Sequence, residues 1–133
     1  MQDPFLQEFT AFNRLLNEYE KHKSLVVGVD FDGTFHDYHK EGHTYPALIN
    51  LLRDLKSIGC KVIVWTAYED HLYVQQYCIN NNIPCDGINT DGIPLPWETR
   101  KPFFSVLLDD RAGLREVFAQ LNSLVDYVKA PEL

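Results

Sequence analysis

The sequence predicts a three-layer α/β fold, a parallel sheet flanked by helices, and three observations predict it. Short apolar runs alternate with longer segments whose apolar residues recur at helical spacing, as in a parallel sheet joined by helical crossovers. The central runs, LVVGV at 25–29 and VIVW at 62–65, are apolar at consecutive positions, as strands covered on both faces must be. Three of the runs end on polar groups: Asp30 and Asp32, then Thr66, then Asp109 and Asp110. In a Rossmann-like open sheet, ligands bind beyond the carboxyl ends of the strands.

Each element has its own signal. Residues 4–22 carry Phe5, Phe9, Phe12, Leu16 and Tyr19 at steps of four and three, one helical face. Asp3 and Pro4 suit a cap and a first helical residue. This helix is expected to pack on the domain, with dimerisation through its stripe kept open. Residues 25–30 form the first strand, and 33–45 are polar and turn-like. Pro46 opens a helix to Ile58, with Leu48, Leu51, Leu52, Leu55 and Ile58 on one face, and Gly59 ends it. Residues 61–66 are the second strand. Asp70 caps a helix to about Asn81, stopped by the asparagines at 80–82. Residues 85–88 are a weak third strand and 103–108 a fourth; 112–121 read as a helix, and 123–128 as a short last strand. There is no internal repeat and no low-complexity tract.

A chain of 133 residues suits one domain. With 45% hydrophobic and 23% charged residues it can build a core without staples. The three cysteines, Cys60, Cys78 and Cys85, have no CxxC spacing, which argues against a disulfide framework or a zinc site and fits a reducing cytoplasm. No apolar run approaches the roughly 20 residues of a membrane span. The opening MQDPFLQEF has no basic region followed by an apolar stretch, so no secretory leader is expected. The formal net charge of −7, with scattered Lys and Arg, excludes non-specific nucleic-acid binding. Any phosphate must be handled locally, by a metal or a few donors.

Taken singly, an Asp after a strand is usually a turn residue or a helix cap. Four carboxylates at one sheet edge are different, because they repel and raise one another's pKa. A hard divalent cation such as Mg²⁺, which takes carboxylates, carbonyls, waters and substrate phosphate, resolves the conflict.

At these residues a family resemblance becomes specific. VGVDFDGTF at 27–35 resembles the first signature of the haloacid dehalogenase-like (HAD) phosphohydrolases, Asp-x-Asp-Gly-Thr after an apolar strand. VIVWTAYE at 62–69 resembles the second, RKPFF at 100–104 the third, and LLDDR at 107–111 the fourth. The match runs in order from Leu25 to about Leu121. It implies a capless HAD-like core over 24–133, with 1–23 a helical extension, all in one domain.

The resemblance also implies roles. Asp30 is the expected nucleophile, forming an aspartyl-phosphate, and Asp32 the expected general acid and base. Mg²⁺ is expected on Asp30, the Asp32 carbonyl and one of Asp109 and Asp110. Thr66 and Ala67 are expected at the substrate phosphate, with Lys101 neutralising charge and Arg100 a candidate to share that role. Relatives of the nucleotidase type carry Arg soon after the Thr, whereas here Ala67-Tyr68-Glu69-Asp70 follows and that contact is missing. The implied activity is Mg²⁺-dependent hydrolysis of a small phosphorylated metabolite or nucleotide. The alternatives are a non-catalytic phosphate- and metal-binding module and a polynucleotide 3'-phosphatase, the latter disfavoured by charge. Only two loops, 33–45 and 89–100, stand where a cap would be inserted. The first carries His36, His39 and His43, expected as a solvated flap, with substrate contact or a histidine metal site as sharper alternatives. Trp97 is expected to be an exposed aromatic on the second, and His22 and His71 to be surface residues.

Overall fold

The computed structural model describes residues 3–131. Its elements are α1 (Thr10–His22), β1 (Val26–Asp30), α2 (Pro46–Ser57), β2 (Lys61–Trp65), α3 (His71–Asn80), β3 (Gly87–Ile88), β4 (Val106–Leu108) and α4 (Leu114–Lys129). The four strands form one parallel sheet in the order β3-β2-β1-β4, flanked by helices in a Rossmann-like three-layer arrangement. β1 is central: Val27 pairs with Val62 on one side and Val106 on the other. That position explains its unbroken apolar run, because Val26, Val27 and Val29 are all buried. α2 turns Leu48, Leu51, Leu52 and Leu55 into the core and packs against α4 and β2. Among the described residues no helix is long and apolar enough to cross a membrane.

Three expectations need correction. The stretch 123–128 is not a strand but the second half of α4, where Leu121, Leu124 and Val125 continue one buried helical face. The first helix begins at Thr10, because Phe9 takes a left-handed conformation (φ 67°) and only 4–6 form a short 3₁₀ turn before it. Phe5 and Phe9 are therefore exposed, and the side chains that α1 buries in the core are Tyr19, as expected, and Leu15. The helix does pack on the domain: the Tyr19 hydroxyl donates to the Ile58 carbonyl (2.6 Å) and Arg14 to the Ser105 carbonyl (3.0 Å).

β4 is shorter than its apolar run. The backbone pairing with β1 begins where the Ser105 N–H donates to the Val26 carbonyl (2.7 Å), whereas the Phe103 N–H donates to the Asp91 carboxylate (2.9 Å). The Phe104 ring lies over Gly28, where any Cβ would come within 2.7 Å of it. Phe104 thus packs over the sheet, with Trp65 edge-on at 5.9 Å, and Phe103 is left exposed, instead of either extending the ladder. β3 is only two residues long, in keeping with its weak signal.

Candidate active site

The chain leaves β1 at Asp30 and turns at once. The Phe31 carbonyl accepts from the N–H groups of Thr34 (3.3 Å), Phe35 (3.1 Å) and His36 (3.0 Å), and the Gly33 N–H donates to the His36 carbonyl (3.0 Å). Gly33 sits at φ 82°, and a Cβ there would lie 3.1 Å from a carboxylate oxygen of Asp110, so the turn needs glycine both for conformation and for room. The turn folds Thr34 back under Asp30. Its Oγ1 lies 3.1 Å from Asp30 Oδ2 and 3.1 Å from Asp110 Oδ1, and accepts the Asp110 N–H at 3.1 Å. One hydroxyl proton serves one carboxylate at a time.

Asp109 and Asp110 follow β4 directly, and one oxygen from each lies within 4.8 Å of the others and of an Asp30 oxygen. Burial pushes the Asp30 carboxyl up to about 7, helped by its hydrogen bond with Asp110 and the charge of Asp109. At Asp110 burial also pushes upward, but the hydrogen bonds from Asp30 and Thr34 outweigh it, and the net shift is downward. The two opposite shifts belong to one hydrogen-bonded pair and favour a proton toward the Asp30 side. A cluster of oxygen ligands that repel one another is of the kind a hard divalent cation takes.

β2 supplies the other wall. Thr66 is nearly buried, and its hydroxyl accepts the Tyr68 N–H (3.0 Å). Its backbone is held on both sides by one side chain: Asn89 Oδ1 accepts the Thr66 N–H (2.8 Å) and Asn89 Nδ2 donates to the Thr66 carbonyl (2.8 Å). Asn89 follows β3 at φ 54°.

These walls enclose an open cleft of about 470 Å³ that Asp30, Asp32, Thr66, Ala67, Asp109 and Asp110 all line. Lys101 does not line it. Lys101 and Arg100 are exposed, and the Lys101 carbonyl accepts from the Thr99 hydroxyl (2.8 Å). Among the described residues, Arg111 is the Lys or Arg side chain that does line the cleft, which Tyr38 and His39 from the first loop line as well. Trp97 is exposed, and no residue of 89–103 lines the cleft.

The first loop is not a solvated flap throughout, which corrects the expectation for one of its histidines. Thr34, Phe35 and His36 are buried, whereas His39 and His43 are exposed. His36 stacks on Phe31 (ring centroids 4.2 Å, planes 8° apart) and its Nδ1 lies 2.7 Å from Asp32 Oδ1. His22 and His71 are on the surface as expected. Sequence reasoning thus missed Asn89, Arg111 and the partnership of His36. Asn89 carried a usable signal, an asparagine directly after an apolar pair, since Asn tolerates left-handed backbone.

No protein-family model matches the chain, and no curated protein sequence does. A solved structure of a conserved protein from Bacteroides thetaiotaomicron is similar in fold, with a TM-score of 0.61 at 22% identity, covering 75% of this chain and 91% of that one. At that identity the likeness shows the fold alone.

Proposed function

We propose that the protein is a Mg²⁺-dependent phosphomonoester hydrolase of the HAD-like kind, acting on a small phosphorylated metabolite or nucleotide. The observation that carries this reading is the convergence of Asp30, Asp32, Thr66, Asp109 and Asp110 on one cleft from three strand ends. In this reading an Asp30 oxygen attacks phosphorus, the bond to the leaving oxygen breaks, and Asp32 gives that oxygen its proton. Asp32, now ionised, takes a proton from the water that attacks the aspartyl-phosphate, which releases phosphate and restores Asp30. Thr66, with its backbone fixed by Asn89, donates its hydroxyl to a phosphate oxygen, and Arg111 supplies the positive charge expected of Lys101. Asp30, the Asp32 carbonyl and Asp109 or Asp110 would hold Mg²⁺. When bound, the ion offsets the repulsion between carboxylate and phosphate.

The test is hydrolysis of p-nitrophenyl phosphate and of a panel of phosphorylated metabolites, with Mg²⁺ and with EDTA. Turnover that EDTA abolishes, and that Asp30→Asn removes while circular dichroism stays unchanged, supports the reading. Full activity without metal, full activity in Asp30→Asn, or no turnover of any phosphomonoester would refute it.

A further inference from the structure

We infer that His36 is the positioning residue for Asp32, holding one carboxylate oxygen so that the other is presented to the leaving group. The inference rests on the phosphohydrolase reading above and extends it to a residue outside the cleft lining. The motif turn makes the pairing. Because the His36 N–H closes back on the Phe31 carbonyl, the imidazole returns beneath the carboxylate four residues earlier. Its Nδ1 then lies 2.7 Å from Asp32 Oδ1, while its Nε2 lies 3.0 Å from the Tyr73 hydroxyl.

A buried histidine is more often a satisfied core residue than a functional one, so the asymmetry of this pair matters. The His36 side chain is 10% exposed and the Asp32 side chain 32%. Asp32 opens onto the cleft and water, so it needs no buried partner to be satisfied. The imidazole is the constrained member: it lies flat on Phe31, and Tyr77 and Tyr73 meet it edge-on at 4.8 and 5.5 Å. A phenylalanine would also present a flat ring to Phe31, but without the two nitrogen contacts. What histidine adds is a rigid donor at a carboxylate that must hold one orientation.

The inferred role requires Oδ1 of Asp32 to accept, so that Nδ1 carries the hydrogen and a neutral ring leaves Nε2 to accept from the Tyr73 O–H. Tyr73 stacks with Tyr68 (5.4 Å, 22°), which steadies the hydroxyl end of the chain. Asp32 Oδ1 is thereby committed, and its second oxygen is the one free to carry the catalytic proton.

The experiment compares His36→Phe, His36→Asn and His36→Gln with the unmutated protein, in Mg²⁺, on p-nitrophenyl phosphate and on an alkyl phosphate. Phosphoenzyme formation is followed by rapid mixing. General acid catalysis is worth about 10²–10⁴-fold in all, and losing the orientation of the acid forfeits part of it. We expect His36→Phe to slow this step about 10- to 100-fold on the alkyl ester, but less than about 3-fold on the aryl ester, whose leaving group needs no proton, with KM unchanged. Asn places an amide nitrogen near the Nδ1 position and should recover most of the loss; Gln, whose amide reaches the Nε2 position, should not. If the Phe variant fails to fold, the Asn and Gln pair decides. Independently of turnover, ¹⁵N shifts of the His36 ring should show the Nδ1–H tautomer.

Equal losses on both esters in a folded variant, no loss at all, or an Nε2–H tautomer would overturn the inference and leave the phosphohydrolase reading standing. Absence of turnover in the unmutated protein would instead overturn that reading, and this inference with it.

Discussion

Asn89→Ala is the substitution whose cost the structure lets us build from parts. Asn89 closes two hydrogen bonds of 2.8 Å on the backbone of Thr66, in effect adding one more rung to the β2–β3 ladder with a side chain. Each such bond contributes about 1 kcal/mol net, so their loss costs about 2 kcal/mol. Asn89 also holds φ 54°, where alanine is worse by about 1 kcal/mol. The sum is about 3 kcal/mol, or a fall in Tm on the order of 10 °C for a chain of this size. Asn89→Gly separates the terms, because glycine loses the bonds but accepts the conformation, and should cost about 2 kcal/mol. Urea unfolding of the three proteins, with equal m values, reads both differences. Alanine and glycine variants each within about 0.5 kcal/mol of the unmutated protein would refute the claim that this side chain fixes the Thr66 wall.

Three further outcomes follow from the same geometry. Without Mg²⁺ the folded state holds the Asp30 proton more tightly than the unfolded chain, so stability is fully present below about pH 4 and is lost as pH rises through about 7. Allowing for solvent screening and the opposite shift at Asp110, the loss should be about 1 kcal/mol and Mg²⁺ should reverse it; stability that rises over this window in EDTA would contradict it. Gly28→Ala should destabilise by about 1–3 kcal/mol through overpacking against Phe104, and Gly28→Ala combined with Phe104→Leu should recover part of it. Arg111→Ala should raise KM for a phosphomonoester about 10-fold, as loss of a charged hydrogen bond does, with Lys101→Ala within about twofold; the reverse pattern would return the role to Lys101.

What the sequence made legible was decided by how local each signal is. β1 and β2 announce themselves because a strand buried on both faces must be apolar at every position. The starts of α3 and α2 are legible because Asp70 accepts the Tyr73 N–H and Pro46 opens α2 with no donor to waste. The tail of α4 resembles a strand because Val125, Tyr127 and Val128 are strand-type residues. The phase of Leu124 and Val125 with Leu121 decides the matter, and no Gly or Pro intervenes before Pro131. The left-handed Phe9 carries no local signal at all, and its break sends Phe5 and Phe9 to solvent. The acidic residues of the cleft were legible because the topology places every strand's carboxyl end at one edge. The contacts of Asn89 and His36 were not, because their partners lie 23 residues away and inside a compact turn, and only the folded backbone creates them, although Asn89 did signal a left-handed turn.

β1 ends on two like charges only two residues apart, and the fold gives them opposite surroundings. Asp30 faces Asp109 and Asp110, where burial and neighbouring charge favour its protonated form. Asp32, two residues later, lines the same cleft but stands outside that cluster and gives an oxygen to His36 in an aromatic nest. The divider between them is small: Gly33 supplies the reversal, and Thr34 ties Asp30 to Asp110 from below. Two carboxyl groups of one kind are thereby given different partners, the condition under which a pair of acids can take different parts in one reaction. In the proposed reaction, the pair's division of labour would lie in the turn more than in the aspartates themselves. Gly33→Ala should therefore damage the site more than its added volume implies, because it must either strain φ 82° or move Asp110, 3.1 Å from the new Cβ.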